Sequence, residues 1–350
     1  MLGVALIGTG MVSGTYADAL ANLSGTVRLV GVLARSEASA TAFAKRHAPL
    51  LGHIPKVYRS IDHLTADPDV DFAILATPPN ARLDHVSALA RAGKPILMEK
   101  PVERTLAAAT ELCEICEAAG VPLGIVLQHR ARPSAQTLRD LVEEGGLGPL
   151  RAVEIAVPWW RDQAYYDAPG RGTYARDGGG VLISQAIHTL DLALQFTGPV
   201  AEVTALTATT GFHRMEAEDF VSAGLRFTSG AVGPLFATTA SFPGRTEEIT
   251  LHYEGGSARL HSNLLEVVRP NGQEESFGSQ AATGAGADPM AFTSDWHRAV
   301  IADFVDSMET GRPPLASARS ALPVHGVIEA LERSGRTGAK VVLADGSADG

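Results

Sequence analysis

The sequence predicts two domains: a doubly wound α/β domain over residues 1–128, then an α+β domain over 129–350 with a large, open, mainly antiparallel sheet. Three observations carry this. Short apolar runs alternate with helical patterns up to about residue 130 and then give way to β-like runs joined by hairpin turns. A glycine-rich turn follows the first apolar run directly. The chain's 350 residues also suit two domains of about 150 better than one.

In the first half the apolar runs are Val4–Ile7, Val27–Leu33, Phe72–Ala76, Pro95–Met98 and Leu123–Leu127. Several are continuously apolar, as strands buried on both faces should be. Helical patterns lie between them, with Ser36, Ser60 and Thr105 as start signals and Gly120 as a stop. Strand and helix in alternation argue for a parallel sheet covered on both faces.

The second half opens with a helix over 134–144 and a strand over 151–157. An aromatic, glycine-rich loop follows, then an apolar helix from about Val181 to Phe196. Strand-like runs come next at 200–209, 220–227, 231–241, 248–253, 258–261 and 264–268. Their turns carry Ser229-Gly230, Gly255-Gly256 and Asn271-Gly272. Two late helices, 295–309 and 317–334, close the pattern, and residues after about 344 read as a loose tail.

Composition narrows the function. With 29 basic and 39 acidic residues the net charge is −10, which repels nucleic-acid backbones and anionic lipid surfaces, so neither is expected as a partner. No apolar run approaches a membrane span, and the N-terminus lacks a basic leader, which points to a cytoplasmic protein. Cys113 and Cys116 share a C-x-x-C spacing inside a helical stretch, with no second pair or nearby histidine, so they read as structural and no metal site is expected.

The turn Gly8-Thr9-Gly10-Met11-Val12-Ser13-Gly14 leads from the first strand into a helix. Gly8 permits the tight turn and Gly10 lets the main chain approach a pyrophosphate. The N–H groups about Met11 and Val12 point from the helix N-terminus at the anion. Ser13 stands where the fingerprint has its third glycine. At the end of the second strand, Arg35 and Ser36 replace the acid that an NAD site uses for the ribose 2′-hydroxyl. Arg35 suits a 2′-phosphate, so NADP(H) is favoured, while Glu37 keeps NAD(H) open.

Lys100 follows the strand at Pro95–Leu97, where strand carboxyl ends line the ligand crevice of an open α/β sheet. Partly desolvated beside a cationic nicotinamide, it should have a lowered pKa and could take a proton from a substrate hydroxyl. Further on, Gly178-Gly179-Gly180 opens an apolar helix on which Ser184, His188 and Asp191 fall at i, i+4 and i+7, on one face. A carboxylate-oriented histidine there suits proton transfer. A satisfied core histidine is the structural alternative.

Taken together, GTGMVSGTYADAL, ATPPN (Ala76–Asn80), HVSALARAGKPILMEKP (His85–Pro101) and GGGVLISQAIHTLD (Gly178–Asp191) resemble the glucose–fructose oxidoreductase/inositol dehydrogenase (Gfo/Idh/MocA) family across nearly the whole chain. The resemblance implies an N-terminal Rossmann domain and a C-terminal open sheet used for substrate and oligomer contacts. It also implies hydride transfer on a sugar, sugar acid or polyol, in a homodimer or homotetramer. By position, Lys100 looks like the catalytic lysine and His188 like its partner, with Thr77, Asn80 and Glu99 near the cofactor. Many family members carry Asp four residues before the histidine. Ser184 stands there in this chain, which leaves Asp191 as the group that could substitute.

The loop from Pro158 to Arg176 holds Trp159, Trp160, Tyr165, Tyr166, Tyr174, Arg161 and Arg171. Aromatic faces suit sugar rings and arginine suits a carboxylate or phosphate, so Arg161 and Tyr166, with Arg130 at the crevice rim, are expected substrate contacts for a sugar-like or acidic ligand. An NAD-dependent glycoside hydrolase of the same family and a non-catalytic NADP-binding sensor are the alternative readings.

Overall fold

A computed structural model describes residues 1–286 and 288–343 and divides them into two units. The tail expected after about residue 344 lies outside the described residues.

The first unit comprises residues 1–103, 107–128 and 293–322. Its strands are β1 (Leu2–Ile7), β2 (Val27–Leu33), β3 (Lys56–Val57), β4 (Phe72–Leu75), β5 (Ile96–Glu99) and β6 (Leu123–Val126). They pair in parallel in the order β3-β2-β1-β4-β5-β6, the Rossmann order, with the topological switch between β1 and β4. Every residue of β4, β5 and β6 is buried, as their unbroken apolar runs predict. Helices Ser13–Ala21, Glu37–Leu51, Ile61–Thr65, Leu83–Arg91 and Leu106–Ala118 connect them. The two-residue β3 is a strand that periodicity did not single out.

Residues 293–322 were expected in the second domain but return to the first unit. The open edge of β6 supplies the reason. Ile125 donates to the carbonyl of Ala316 at 2.8 Å, so the returning segment covers a row of edge groups that would otherwise stay unpaired. Above it, the helix Asp295–Thr310 buries Phe304, whose ring lies 5.8 Å from that of Phe72. Gly124 of β6 makes room for it: a Cβ there would come within 2.7 Å of the Phe304 ring.

The second unit comprises residues 104–106, 129–292 and 323 onward. Its strands are β7 (Leu150–Pro158), β8 (Val200–Ala208), β9 (Phe220–Phe227), β10 (Val232–Thr238), β11 (Glu248–Tyr253), β12 (Gly256–His261), β13 (Leu264–Val268), β14 (Glu274–Gly278) and β15 (Val341–Val342). The sheet order is β14-β13-β12-β11-β7-β10-β9-β8-β15. Only β7 and β10 pair in parallel among the described residues; the remaining neighbours are antiparallel. Burial alternates cleanly along β9 and β11, the signature of a sheet with one covered face. Helices Pro133–Glu143 and Ile187–Thr197 pack on that face.

Candidate active site

In the first unit the glycine turn has the shape its residues predict. Gly8 adopts φ +105, and a Cβ there would sit 2.7 Å from the Ala76 carbonyl oxygen, so any other side chain would be both strained and crowded. At Gly10 nothing lies within 4 Å of a would-be Cβ, which leaves open space over the N-terminus of helix Ser13–Ala21. Ser13 replaces the third glycine without cost to the turn: its hydroxyl folds back to donate to the Gly10 carbonyl at 2.6 Å. Thr77 Oγ1, at the end of β4, is buried with no hydrogen-bond partner among the described residues. An open phosphate cradle and an orphaned hydroxyl at the strand ends fit a dinucleotide.

Polar side chains gather at the end of β2. Arg35 is exposed, Ser36 caps the next helix by accepting from Ser39 N at 3.2 Å, and Ser39 Oγ meets Thr9 Oγ1 of the glycine turn at 2.8 Å. Glu37, the residue that kept NAD open, lies 3.5 Å from Arg59.

Lys100 stands half-buried at the exit of β5. Its loop is held by Arg82, a residue that sequence reasoning missed. The Arg82 side chain is almost fully buried and its guanidinium donates to the carbonyls of Thr77, Lys100, Pro101 and Val102. Burial pulls its pKa down to about 10, which leaves it charged at neutral pH. Five donors in a rigid fork can tie two strand exits together in a way that no single ammonium could. Met11 and Asn80 are exposed. Glu99 is different: its carboxylate accepts from the Tyr16 hydroxyl and the Lys100 amide, so both oxygens are engaged by the protein rather than left for a cofactor.

In the second unit the 178–180 glycines pass close to neighbouring chain, as expected. A Cβ at Gly180 would lie 1.8 Å from the Glu218 carbonyl oxygen, and one at Gly178 would lie 2.7 Å from Arg104 Cα. The helix they open begins with a π-helical turn at Leu182–Ala186 and becomes α-helical at Ile187. The wider turn includes Ser184 and ends just before His188. Ser184 is half-buried. The His188 ring lies 4.9 Å from that of His129, tilted by 31°.

Asp191 also departs from expectation. Both of its oxygens accept from Arg130, at 2.6 and 2.8 Å, and both side chains are 2% exposed. Burial pushes the Asp191 carboxyl up against the pull of Arg130. The two side chains therefore form a buried ion pair, a partner for Asp191 that its spacing from His188 does not suggest. Arg161 and Tyr166 also have partners within the protein. The Arg161 guanidinium donates to the carbonyls of Trp160, Gly284 and Gly286, each at 2.7 Å, and the buried Tyr166 hydroxyl meets Thr239 Oγ1 at 2.6 Å. Polar groups in a buried loop satisfy main-chain carbonyls first. Tyr165 and Arg171 of that loop are half-buried; the Arg171 guanidinium carbon sits 5.0 Å from the Tyr165 ring centroid, and its Nη1 lies 3.8 Å from Asp177.

Glu332, whose carboxylate oxygen would lie 2.9 Å from a Cβ at Gly179, carries a measurable consequence. Burial and the neighbouring Glu218 raise its pKa to about 8. An acid whose folded pKa lies above its unfolded value of roughly 4.3 costs stability progressively as pH rises between the two values. Glu332→Gln is therefore expected to be more stable than the parent by at least about 1 kcal/mol at pH 8, with the difference vanishing near pH 4. Chemical denaturation at both pH values checks this.

Among the described residues no three His, Cys, Asp or Glu side chains cluster to hold a metal ion, and burial pushes the Cys113 and Cys116 thiols up to about 11 and about 12. No helix of the described residues is long and apolar enough to cross a membrane.

Comparison with known proteins agrees with both halves of the chain. Residues 2–126 match the model of an oxidoreductase family with an NAD-binding Rossmann fold, and residues 135–259 match the GFO/IDH/MocA C-terminal domain. The chain is 25% identical to the 1,5-anhydro-D-fructose reductase of Ensifer adhaerens, over 84% of each chain. It is 26% identical to the D-apiose dehydrogenase of Paraburkholderia graminis, over 97% of this chain and 89% of that one. The crystal structure of the WlbA dehydrogenase from Bordetella pertussis, in complex with NADH and UDP-GlcNAcA, is similar with a TM-score of 0.80 at 26% identity. That match covers 98% of this chain and 99% of the other.

Proposed function

From the premise that this chain belongs to the Gfo/Idh/MocA family of oxidoreductases, we propose that it oxidises a secondary alcohol of a sugar, sugar acid or related polyol, or reduces the corresponding ketone, with NADP(H). The observation that carries the reading is the open cradle at Gly8 and Gly10, one strand exit away from Thr77 and two from Lys100. A bound nicotinamide supplies a ring carbon that accepts or returns a hydride. In the oxidative direction Lys100 would take the hydroxyl proton of the substrate as the carbonyl forms. Lys100 and His188 handle this proton, and Ser184 contributes a hydroxyl without the charge that an aspartate would bring. In the reductive direction the same groups return the proton.

Support for an acidic or sugar-like substrate comes from Arg171 and Tyr165 in the loop after β7. Support for NADP(H) comes from exposed Arg35 and from Arg59, which offsets Glu37. Leu206 and Val232, exposed on the uncovered face of the second sheet, support a homo-oligomer, which we place in the cytoplasm.

Two experiments test the reading. Oxidised cofactors are incubated with a panel of sugars, sugar acids and glycosides while cofactor reduction and sugar release are followed together. Net cofactor reduction is expected; sugar release without it would favour the hydrolase, and neither would favour the sensor. Arg35→Ala is expected to weaken NADPH roughly ten- to a hundredfold in fluorescence titration, with NADH changed little. Equal weakening of both would reject the 2′-phosphate assignment.

A further inference from the structure

Beneath Lys100, in the first unit, lies a group of buried polar side chains drawn from three distant stretches of chain. Glu99 Oε1 accepts from the Tyr16 hydroxyl at 2.7 Å and lies 3.8 Å from His297 Nε2. Glu99 Oε2 accepts from the Lys100 amide at 3.2 Å. The Tyr16 and His297 rings meet edge to face, their centroids 5.4 Å apart. Tyr16 is wholly buried, His297 is 2% exposed and Glu99 is 9% exposed. Tyr16 comes from the helix after the glycine turn, Glu99 ends β5, and His297 lies on the helix Asp295–Thr310 that returns to cover the sheet.

A buried carboxylate is costly unless it is hydrogen-bonded and paired, and this one is both. Against the upward push of burial, the His297 imidazole, the Tyr16 hydroxyl and the Lys100 ammonium hold the Glu99 carboxyl below its ordinary value. Arg82 acts here too, its guanidinium interacting with Glu99, Glu103 and Tyr16. The arrangement therefore keeps a fixed negative charge one residue from the proton-transfer lysine.

We propose that Glu99, held ionised by His297 and Tyr16, is a positioning residue that sets the charge state of Lys100. The proposal rests on the reading of Lys100 as the proton-transfer group. A cationic nicotinamide and partial desolvation drive Lys100 toward its neutral form, and the Glu99 carboxylate opposes them. Their balance sets how readily the lysine takes and returns a proton. His297, on a segment far along the chain, is thereby tied to proton transfer.

The test follows kcat/KM for oxidation against pH in the full chain, together with a catalysis-independent titration of Lys100. The latter is the pH dependence of its acylation by an amine-selective reagent, read by mass spectrometry of the Lys100 peptide. In Glu99→Gln both the acid limb of the profile and the acylation midpoint are expected to move to lower pH by roughly one unit or more, because an ammonium loses its counter-charge. His297→Phe keeps the ring and is expected to move both in the same direction. The double variant should go no further than Glu99→Gln alone. Tyr16→Phe, which removes only a hydroxyl, is expected to shift both less, and it keeps the test open should the other variants fold poorly. An unchanged acylation midpoint in a folded Glu99→Gln or Tyr16→Phe variant overturns the proposal. A shifted midpoint with an unmoved kinetic limb keeps the charge relay and removes Lys100 from proton transfer.

Discussion

Lys100→Ala is expected to lower kcat by roughly two to four orders of magnitude while NADP(H) affinity stays within a few-fold of the parent. The split follows from where the residue sits. Lys100 stands at the exit of β5, whereas the dinucleotide cradle is built at the exit of β1 from Gly8, Gly10 and the helix N-terminus. Removing the amine takes away the acceptor for the hydroxyl proton and leaves the phosphate site intact. Steady-state kinetics beside cofactor fluorescence titration separate the two effects. Turnover like that of the parent would reject the assignment, and a large loss of cofactor affinity would show that the lysine holds the dinucleotide instead. The loop carrying Lys100 is secured by Arg82 through four main-chain carbonyls, so truncating Lys100 beyond its Cβ should leave the loop's path unchanged.

The second large effect concerns stability. Arg130→Met leaves Asp191 buried and without the guanidinium that engages both of its oxygens, and removing one partner of such a pair costs about 3–5 kcal/mol. Replacing both partners, as Arg130→Met with Asp191→Leu, is expected to recover most of that loss, because the desolvated charges go together. Urea denaturation of the two single variants and the double variant reads this directly. Were Arg130 a substrate contact, the single variant would instead raise KM and leave unfolding within about 1 kcal/mol of the parent. The same experiment therefore decides between the structural role shown by the geometry and the binding role expected from position alone.

Several features were legible because they are local. The five main strands of the first sheet show as short, mainly apolar runs, and the glycine turn shows as small residues at a strand–helix junction. The second sheet's alternation shows in β9 and β11, where successive side chains face opposite sides. Less legible were elements whose formation depends on pairing rather than pattern. Two-residue β3 and β15 and polar β14 are strands because neighbours lend them hydrogen bonds. The π-helical turn at Leu182–Ala186 was hidden for a related reason: a wider turn leaves composition unchanged.

The chain's own order of residues determined its class, its cofactor-binding turn and the lysine at the strand exit, since each depends on neighbours within a few positions. Only the tertiary structure decided which partner every buried charge would take. Arg130 found Asp191 across 61 positions, Glu99 found Tyr16 across 83, and His297 reached Glu99 from the last third of the sequence. Burial obliges such groups to pair, but the obligation names no partner. Packing names it, by bringing distant segments to one place, and that is why the buried partners of Arg130, Asp191, Arg161 and Tyr166 could not be read from the sequence.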